Sequence, residues 1–233
     1  MPEDSSKEFH RPIRSFVKRE GKMTKGQINA IDDLWPSYGV DLTETPLSMM
    51  TLFGRSAFTI LEIGFGNGLS LAEMATQQPE ANFFGIEVHQ PGVGSLLVQV
   101  KKNELTNVRV SNQDAVEVLD KQILDGSIDR VQIFFPDPWH KKRHNKRRLI
   151  QTDFVTTLVK KLTPKGIIHV ATDWEHYAEH ILDVLSSNAD LRNTVEDSLS
   201  EYAPKPEYRP STKYEERGKR LGHGVWDLVF EKR

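Results

Sequence analysis

The chain has no cysteine, which excludes disulfides and thiolate-held metals and fits a reducing compartment. Long hydrophobic runs are also missing. No stretch of about 18 apolar residues occurs, and the first twenty residues are charged without an apolar core. Neither a membrane span nor a secretory signal is expected, and a cytoplasmic location is. There is no internal repeat and no low-complexity tract. A large charge excess is lacking too, since the net charge over 233 residues is −2. That near-neutrality conceals a division along the chain. Residues 1–25 carry seven Lys/Arg against four acids, residues 26–130 six against fourteen, and residues 131–233 eighteen against fifteen. An acidic middle suits a ligand with positive charge or many hydrogen-bond donors, whereas basic ends suit a polyanion.

What is present is an alternation of short β-rich runs and helical patterns, the mark of a parallel sheet with crossover helices. Residues 1–25 read as a basic, partly disordered arm. A helix is expected over 26–34, stopped by Trp35-Pro36. Strands are expected at 58–63, 82–88, 108–111, 130–135 and 166–172, with helices at 69–77, 92–103, 115–124, 149–162 and 174–185. Two further strands, 194–199 and 225–232, bring the total to seven, and the last returns antiparallel. The fold class is therefore α/β, a doubly wound, seven-stranded, mostly parallel Rossmann-like sheet. The length suits one domain over 26–233.

In such sheets ligands bind beyond the carboxyl ends of the strands, so the residues that follow each strand carry the chemistry. After the first strand comes Glu62-Ile63-Gly64-Phe65-Gly66-Asn67-Gly68, where Gly64, Gly66 and Gly68 permit a tight turn and close backbone approach. A dinucleotide fingerprint needs glycine next, but Leu69 stands there, which disfavours a nicotinamide-dependent oxidoreductase. S-adenosylmethionine has no pyrophosphate and does not need that cradle. An acid in the first strand can hold its cationic amino-acid end. Glu87 is placed for both ribose hydroxyls and Asp114 for the adenine amino group. The set reads as a class I S-adenosylmethionine-dependent methyltransferase.

Beyond the fourth strand lies Phe135-Pro136-Asp137-Pro138-Trp139-His140, followed by six Lys/Arg within residues 141–148. A carboxylate and an indole stand beside a phosphate-binding run. With Arg14-Ser15-Phe16-Val17, Thr24-Lys25-Gly26-Gln27, the 62–68 turn, Ala171-Thr172-Asp173-Trp174 and Ser211-Thr212-Lys213-Tyr214-Glu215, the chain resembles the bacterial tRNA (guanine-N7)-methyltransferase family. It departs at His140, where many members have proline, and at Tyr214, where phenylalanine is common. The resemblance implies that Glu62, Glu87, Asp114 and Asp137 contact the cofactor, with Asp137 also beside the reacting atoms. It further implies that Lys141, Asp173, Thr212, Lys213, Tyr214 and Glu215 contact substrate, and that Arg143, His144, Asn145, Lys146, Arg147 and Arg148 lie on tRNA. Substrate-binding segments are thus expected at 137–148 and 209–221, and the target is guanine 46 of the variable loop.

Two other functions compete. Exocyclic-amino methyltransferases carry Asn/Asp-Pro-Pro-aromatic after this strand, but the second proline is missing here. A non-catalytic RNA-binding protein would satisfy the basic segments but would not need an acid after each strand. His176-Tyr177-Ala178-Glu179-His180 matches an inverted zinc-protease pattern, yet it follows a parallel strand with no third ligand, and no metal is expected. His10, His89, His169 and His223 read as structural or surface residues. Oligomeric state is open between monomer and homodimer.

Overall fold

Strands without polar alternation must be covered on both faces, and the sheet obeys this. The computed structural model describes residues 15–16, 21–195, 200–211, 215 and 224–233. Its strands are β1 (Thr59–Ile63), β2 (Asn82–Ile86), β3 (Val108–Ser111), β4 (Ile128–Phe134), β5 (Leu162–Thr172), β6 (Leu191–Asn193) and β7 (Trp226–Lys232). They form one sheet in the order β3-β2-β1-β4-β5-β7-β6, with β7 antiparallel to both neighbours. The expected doubly wound sheet is present, with its order reversing between β1 and β4.

Among the described residues the α-helices of more than one residue are α1 (Lys25–Tyr38), α2 (Met49–Phe53), α3 (Leu69–Gln77), α4 (Gln90–Lys102), α5 (Ala115–Lys121), α6 (Thr152–Lys161) and α7 (Glu175–Ser186). Ile60, Phe83, Val108 and Val110 share one core with α1, α3 and α4. Leu61, Ile63, Phe84, Val131 and Ile168 share the opposite one with α5, α6 and α7. Beyond the reach of α3, the first face is crossed at β4, β5 and β7 by residues 200–211. There Ala203 bridges to Asp227, and Tyr208 lies over Arg130 and His169.

Several boundaries differ from expectation, among them β5, which starts at Leu162 rather than 166, and α6, which starts at Thr152 rather than 149. Helix α1 runs through Pro36 to Tyr38. A proline this close to the end costs one backbone hydrogen bond, and the Gly39 N–H still reaches the Trp35 carbonyl. The helix is also held at its start, where Thr24 and Gln27 form a reciprocal capping box. The sixth strand lies at Leu191–Asn193 rather than 194–199. Asn193 Oδ1 accepts the Val195 N–H at 3.0 Å, turning the chain away despite the β-branched Thr194-Val195, and residues 196–199 lie outside the described ones. The basic run includes a 3₁₀ helix over Lys142–Arg147.

Candidate active site

The strand order reverses between β1 and β4, and in open α/β sheets ligands bind beyond the carboxyl ends of the strands at such a point. After β1 the chain turns through Gly64, Gly66 and Gly68 with φ of 75°, 61° and 72°, the left-handed region that side chains disfavour. A Cβ on Gly64 or Gly66 would enter open space, so backbone conformation demands these glycines and the turn is left bare toward a ligand. Gly92 in α4 answers a different need. A Cβ there would collide with the Gly66 carbonyl, so glycine lets α4 pack directly against the turn.

Glu62 is buried in β1, and its Oε2 has no hydrogen-bond partner among the described residues. Burial pushes its carboxyl up to about 8, with Arg130 opposing the shift and Glu87 adding to it. A buried acid with an unmatched oxygen, beside an open glycine turn, is a receptor for a cation or an N–H donor. Glu87 lies just past β2, where Oε2 accepts the Gly66 N–H at 2.8 Å and Oε1 accepts the His89 N–H at 2.9 Å. Burial raises its pKa, and these backbone hydrogen bonds work against that rise. Each carboxylate oxygen keeps a second lone pair for a hydroxyl. Asp114 caps α5 by accepting the Val116 N–H at 3.0 Å. Buried and half-buried carboxylates beside a bare backbone turn are a donor set that fits S-adenosylmethionine, whose ammonium, ribose hydroxyls and adenine amine Glu62, Glu87 and Asp114 would hold. Bound there, it would supply an electrophilic methyl on a sulfonium.

Across this switch in strand order, β4 ends in an unusual backbone. Phe135 and Trp139 have φ of 52° and 49°, which is costly for bulky residues. The Phe135 N–H is held by the Ala171 carbonyl at 2.7 Å. Trp139 Nε1 donates to the Ser15 carbonyl at 3.1 Å, and Arg147 lies 4.8 Å from the Trp139 ring centroid. These two kinks present Asp137, exposed, on the rim between them. Asp173 follows β5 on the neighbouring strand end and is partly exposed.

Lys141, Lys142, Arg143 and Lys146 project from the 3₁₀ segment into solvent. His144 packs edge-on to Trp139, and desolvation, then the charges of Arg143, Arg147, Lys141 and Lys146, lowers its pKa. Arg148 departs from the expectation of an RNA-facing residue. It is 3 % exposed, and its Nε donates to the Pro138 carbonyl at 3.0 Å. Its guanidinium lies 4.7 Å from the Tyr177 ring centroid and 3.3 Å from His176 Nδ1. The last residue of the basic run thus pins the loop to α7, just ahead of the half-buried Leu149 and the buried Ile150 that lead into α6. Asn145 is also partly buried, and its carbonyl accepts from Gln151 Nε2 at 3.1 Å.

The two histidines of the zinc-like pattern are engaged elsewhere, His176 with Arg148 and His180 with the Ile150 carbonyl at 2.9 Å. Thr212, Lys213 and Tyr214 lie outside the described residues. Glu215 is described and buried, bound to Arg209 at 2.7 Å. Arg209 itself, with Arg130, His169, Tyr208 and Asp227, forms a buried polar cluster that motif reading did not single out. The available signal was polar residues placed at inward positions of otherwise apolar strands.

An open doubly wound sheet with a bare glycine turn and acids after successive strands defines a methyltransferase. A family model described as "Putative methyltransferase" matches residues 56–228. Proteins named tRNA (guanine-N(7)-)-methyltransferase from Serratia proteamaculans and Neisseria gonorrhoeae are each 55 % identical to the chain. The alignments cover 96 % and 99 % of this chain, and 92 % and 95 % of those proteins. The homologue so named from Psychromonas ingrahamii is 57 % identical over 96 % of this chain and 91 % of its own length. The chain belongs to the tRNA (guanine-N(7)-)-methyltransferase family. The fold is shared more widely. A crystal structure of a SAM-dependent methyltransferase from Aquifex aeolicus superposes with TM-score 0.51 at 15 % identity, covering 79 % of this chain and 87 % of that one.

Proposed function

We propose that the protein methylates N7 of guanine 46 in the tRNA variable loop, with S-adenosylmethionine as donor. The observation that carries this reading is one rim shared by two opposite chemistries. Glu62, Glu87 and Asp114 line the strand ends on the donor side, while β4 leads directly into Asp137 and the exposed cations of the 3₁₀ segment. A polyanionic acceptor and a cationic donor would therefore meet at adjacent strand ends.

Guanine N7 already exposes a lone pair, so no general base is needed to remove a proton from the attacking atom. The protein must align that lone pair with the methyl carbon and stabilise the positive charge growing on the purine. Asp137 is the carboxylate on the rim for that task. Guanine N1–H and N2–H match carboxylate acceptors, so Asp173 is assigned to the base edge, with Glu215 helping to orient it. Lys141 and the segment 212–215 complete the acceptor side, and residues 137–148 and 209–221 act as the two substrate segments of a single domain over 26–233.

Incubating the full chain with S-adenosylmethionine and tRNA lacking N7-methylguanosine, followed by nucleoside mass spectrometry and strand-scission mapping, tests the reading. N7-methylguanosine at position 46 is expected. A methyl on an exocyclic amine, or none in the variable loop, overturns it.

Replacing Lys141, Arg143 and Arg147 together by alanine is expected to weaken tRNA binding and flatten its salt dependence. Each lost phosphate contact should lower the slope of log K against log salt by about 0.7–0.9. An unchanged slope in filter binding between low and moderate salt would remove these side chains from the RNA surface.

A further inference from the structure

Beneath the acceptor side, a chain of polar groups crosses the sheet face. Lys205 Nζ lies 3.4 Å from Glu215 Oε2, and Arg209 Nη1 donates to the same oxygen at 2.7 Å. Arg209 Nη2 donates to Asp227 Oδ2 at 2.8 Å, and Asp227 Oδ1 meets His169 Nε2 at 2.7 Å. His169 Nδ1 is 3.0 Å from the Tyr208 hydroxyl, and Arg130 stacks 3.8 Å from the Tyr208 ring centroid. Glu215, Arg209 and Asp227 are each at most 3 % exposed.

Desolvation keeps His169 neutral, and although burial works to raise Asp227, its hydrogen bonds from His169 and Arg209 hold it ionised. An ionised carboxylate only accepts, so His169 donates from Nε2 and its Nδ1 accepts the Tyr208 proton. Two carboxylates face two cations, and the neutral members hand their hydrogen bonds on in one direction.

Arg209 occupies the junction of this chain. Its guanidinium also lies 6.0 Å from the Phe134 ring centroid and 5.8 Å from that of Phe135, the left-handed residue that launches the Asp137 turn. One planar fork therefore touches both halves of the acceptor side, the segment reaching Glu215 and the end of β4. A lysine could supply charge there but could not serve two carboxylates and two rings at once.

We propose that Arg209 is a positioning residue for methyl transfer, holding Glu215 and the Phe135–Asp137 turn in register through its shared contacts with Glu215, Asp227, Phe134 and Phe135. The donor contacts assigned to Glu62, Glu87, Asp114 and the glycine turn do not pass through it, and Asp137 is only one of the four carboxylates assigned to the donor. This rests on the proposed acceptor site. Should the wild-type protein form no N7-methylguanosine, that reading fails before any variant is compared.

The test separates donor from acceptor in the full chain. In the Arg209→Lys variant, the Kd of S-adenosylmethionine measured by calorimetry without tRNA is expected to stay within about twofold of wild type. Its kcat/KM for tRNA should fall by at least about tenfold. Asp227→Asn, which keeps the shape of the carboxylate, should show the same split more weakly. Combining Arg209→Lys with Glu215→Gln should cost little more than the worse single change, because both act on one contact. Parallel losses of donor affinity and tRNA turnover would mean general damage to the sheet and overturn the proposal. So would an undiminished kcat/KM, or a double variant whose losses simply add.

Discussion

Asp137→Ala is expected to lower the methylation rate at saturating tRNA by about 10²–10³, the scale for removing one preorganised electrostatic group from a transition state. The expectation follows from where the side chain stands and what the purine gains. Attack by N7 gives the ring a positive charge that the free base does not have. A carboxylate standing at the rim stabilises that charge, on a turn flanked by two bulky residues with left-handed φ, Phe135 and Trp139. The effect should fall on kcat, because the charge exists only as the bond forms. tRNA affinity, which we assign to the cations of 141–147, should change little. Asp137→Asn separates charge from shape, since an amide can still hydrogen-bond but cannot balance the purine cation. Single-turnover rates and tRNA binding measured side by side decide the matter. A full methylation rate in Asp137→Ala would remove the role, and a loss confined to tRNA binding would reassign it.

The sheet, and the placing of Glu62, Glu87 and Asp114 at its strand ends, were legible because both are written in local sequence. Each parallel strand is a short apolar run, and in a doubly wound fold the residue after such a run is at the site whatever the rest of the chain does. Glu62, Glu87 and Asp114 could therefore be named from position alone, and so could the three left-handed glycines. What escaped was set by distant partners. Arg148 reads as one more cation in a basic run, and only the packing of α7 turns it inward onto Tyr177. His169 and Asp227 lie 58 residues apart, and the Tyr208–Arg209 pair that binds them sits in a segment without periodicity. Arg130 and Gln132 alternate with Val131 and Ile133, a period-2 pattern inside a strand buried on both sides. Such polar residues have to find partners, which made the existence of a network inferable but not its wiring. The end of the sixth strand at Asn193 escaped because its side chain takes the Val195 N–H, a local hydrogen bond that β-branching in the next two residues does not reveal.

Glu62→Gln should separate stability from function most sharply. In the free protein the Glu62 carboxyl is held near 8, while in the unfolded chain it titrates near its ordinary value of 4.5. Between those limits the folded state keeps a proton that the unfolded state has lost. Folding stability therefore falls as pH rises from about 4.5 toward 8, by up to about 1.4 kcal/mol per pH unit, and levels off above. Glutamine has no such proton to lose, so at pH 8 the ligand-free variant should melt at a higher temperature than wild type. Binding should show the reverse. The donor's ammonium favours the ionised carboxylate, so wild-type affinity is expected to rise with pH from 6 to 8, with a proton released to buffer on each binding event. Calorimetry in two buffers of different ionisation enthalpy reads that proton directly. The variant should bind S-adenosylmethionine at least about a hundredfold more weakly, the order expected when a buried charge partner is lost, with no pH slope over this range. Equal affinity in the two proteins, or a wild-type binding enthalpy independent of buffer, would mean that the amino end of the donor is held elsewhere. A variant less stable than wild type at pH 8 would mean that the buried carboxyl is sustained by Arg130 rather than strained by its burial.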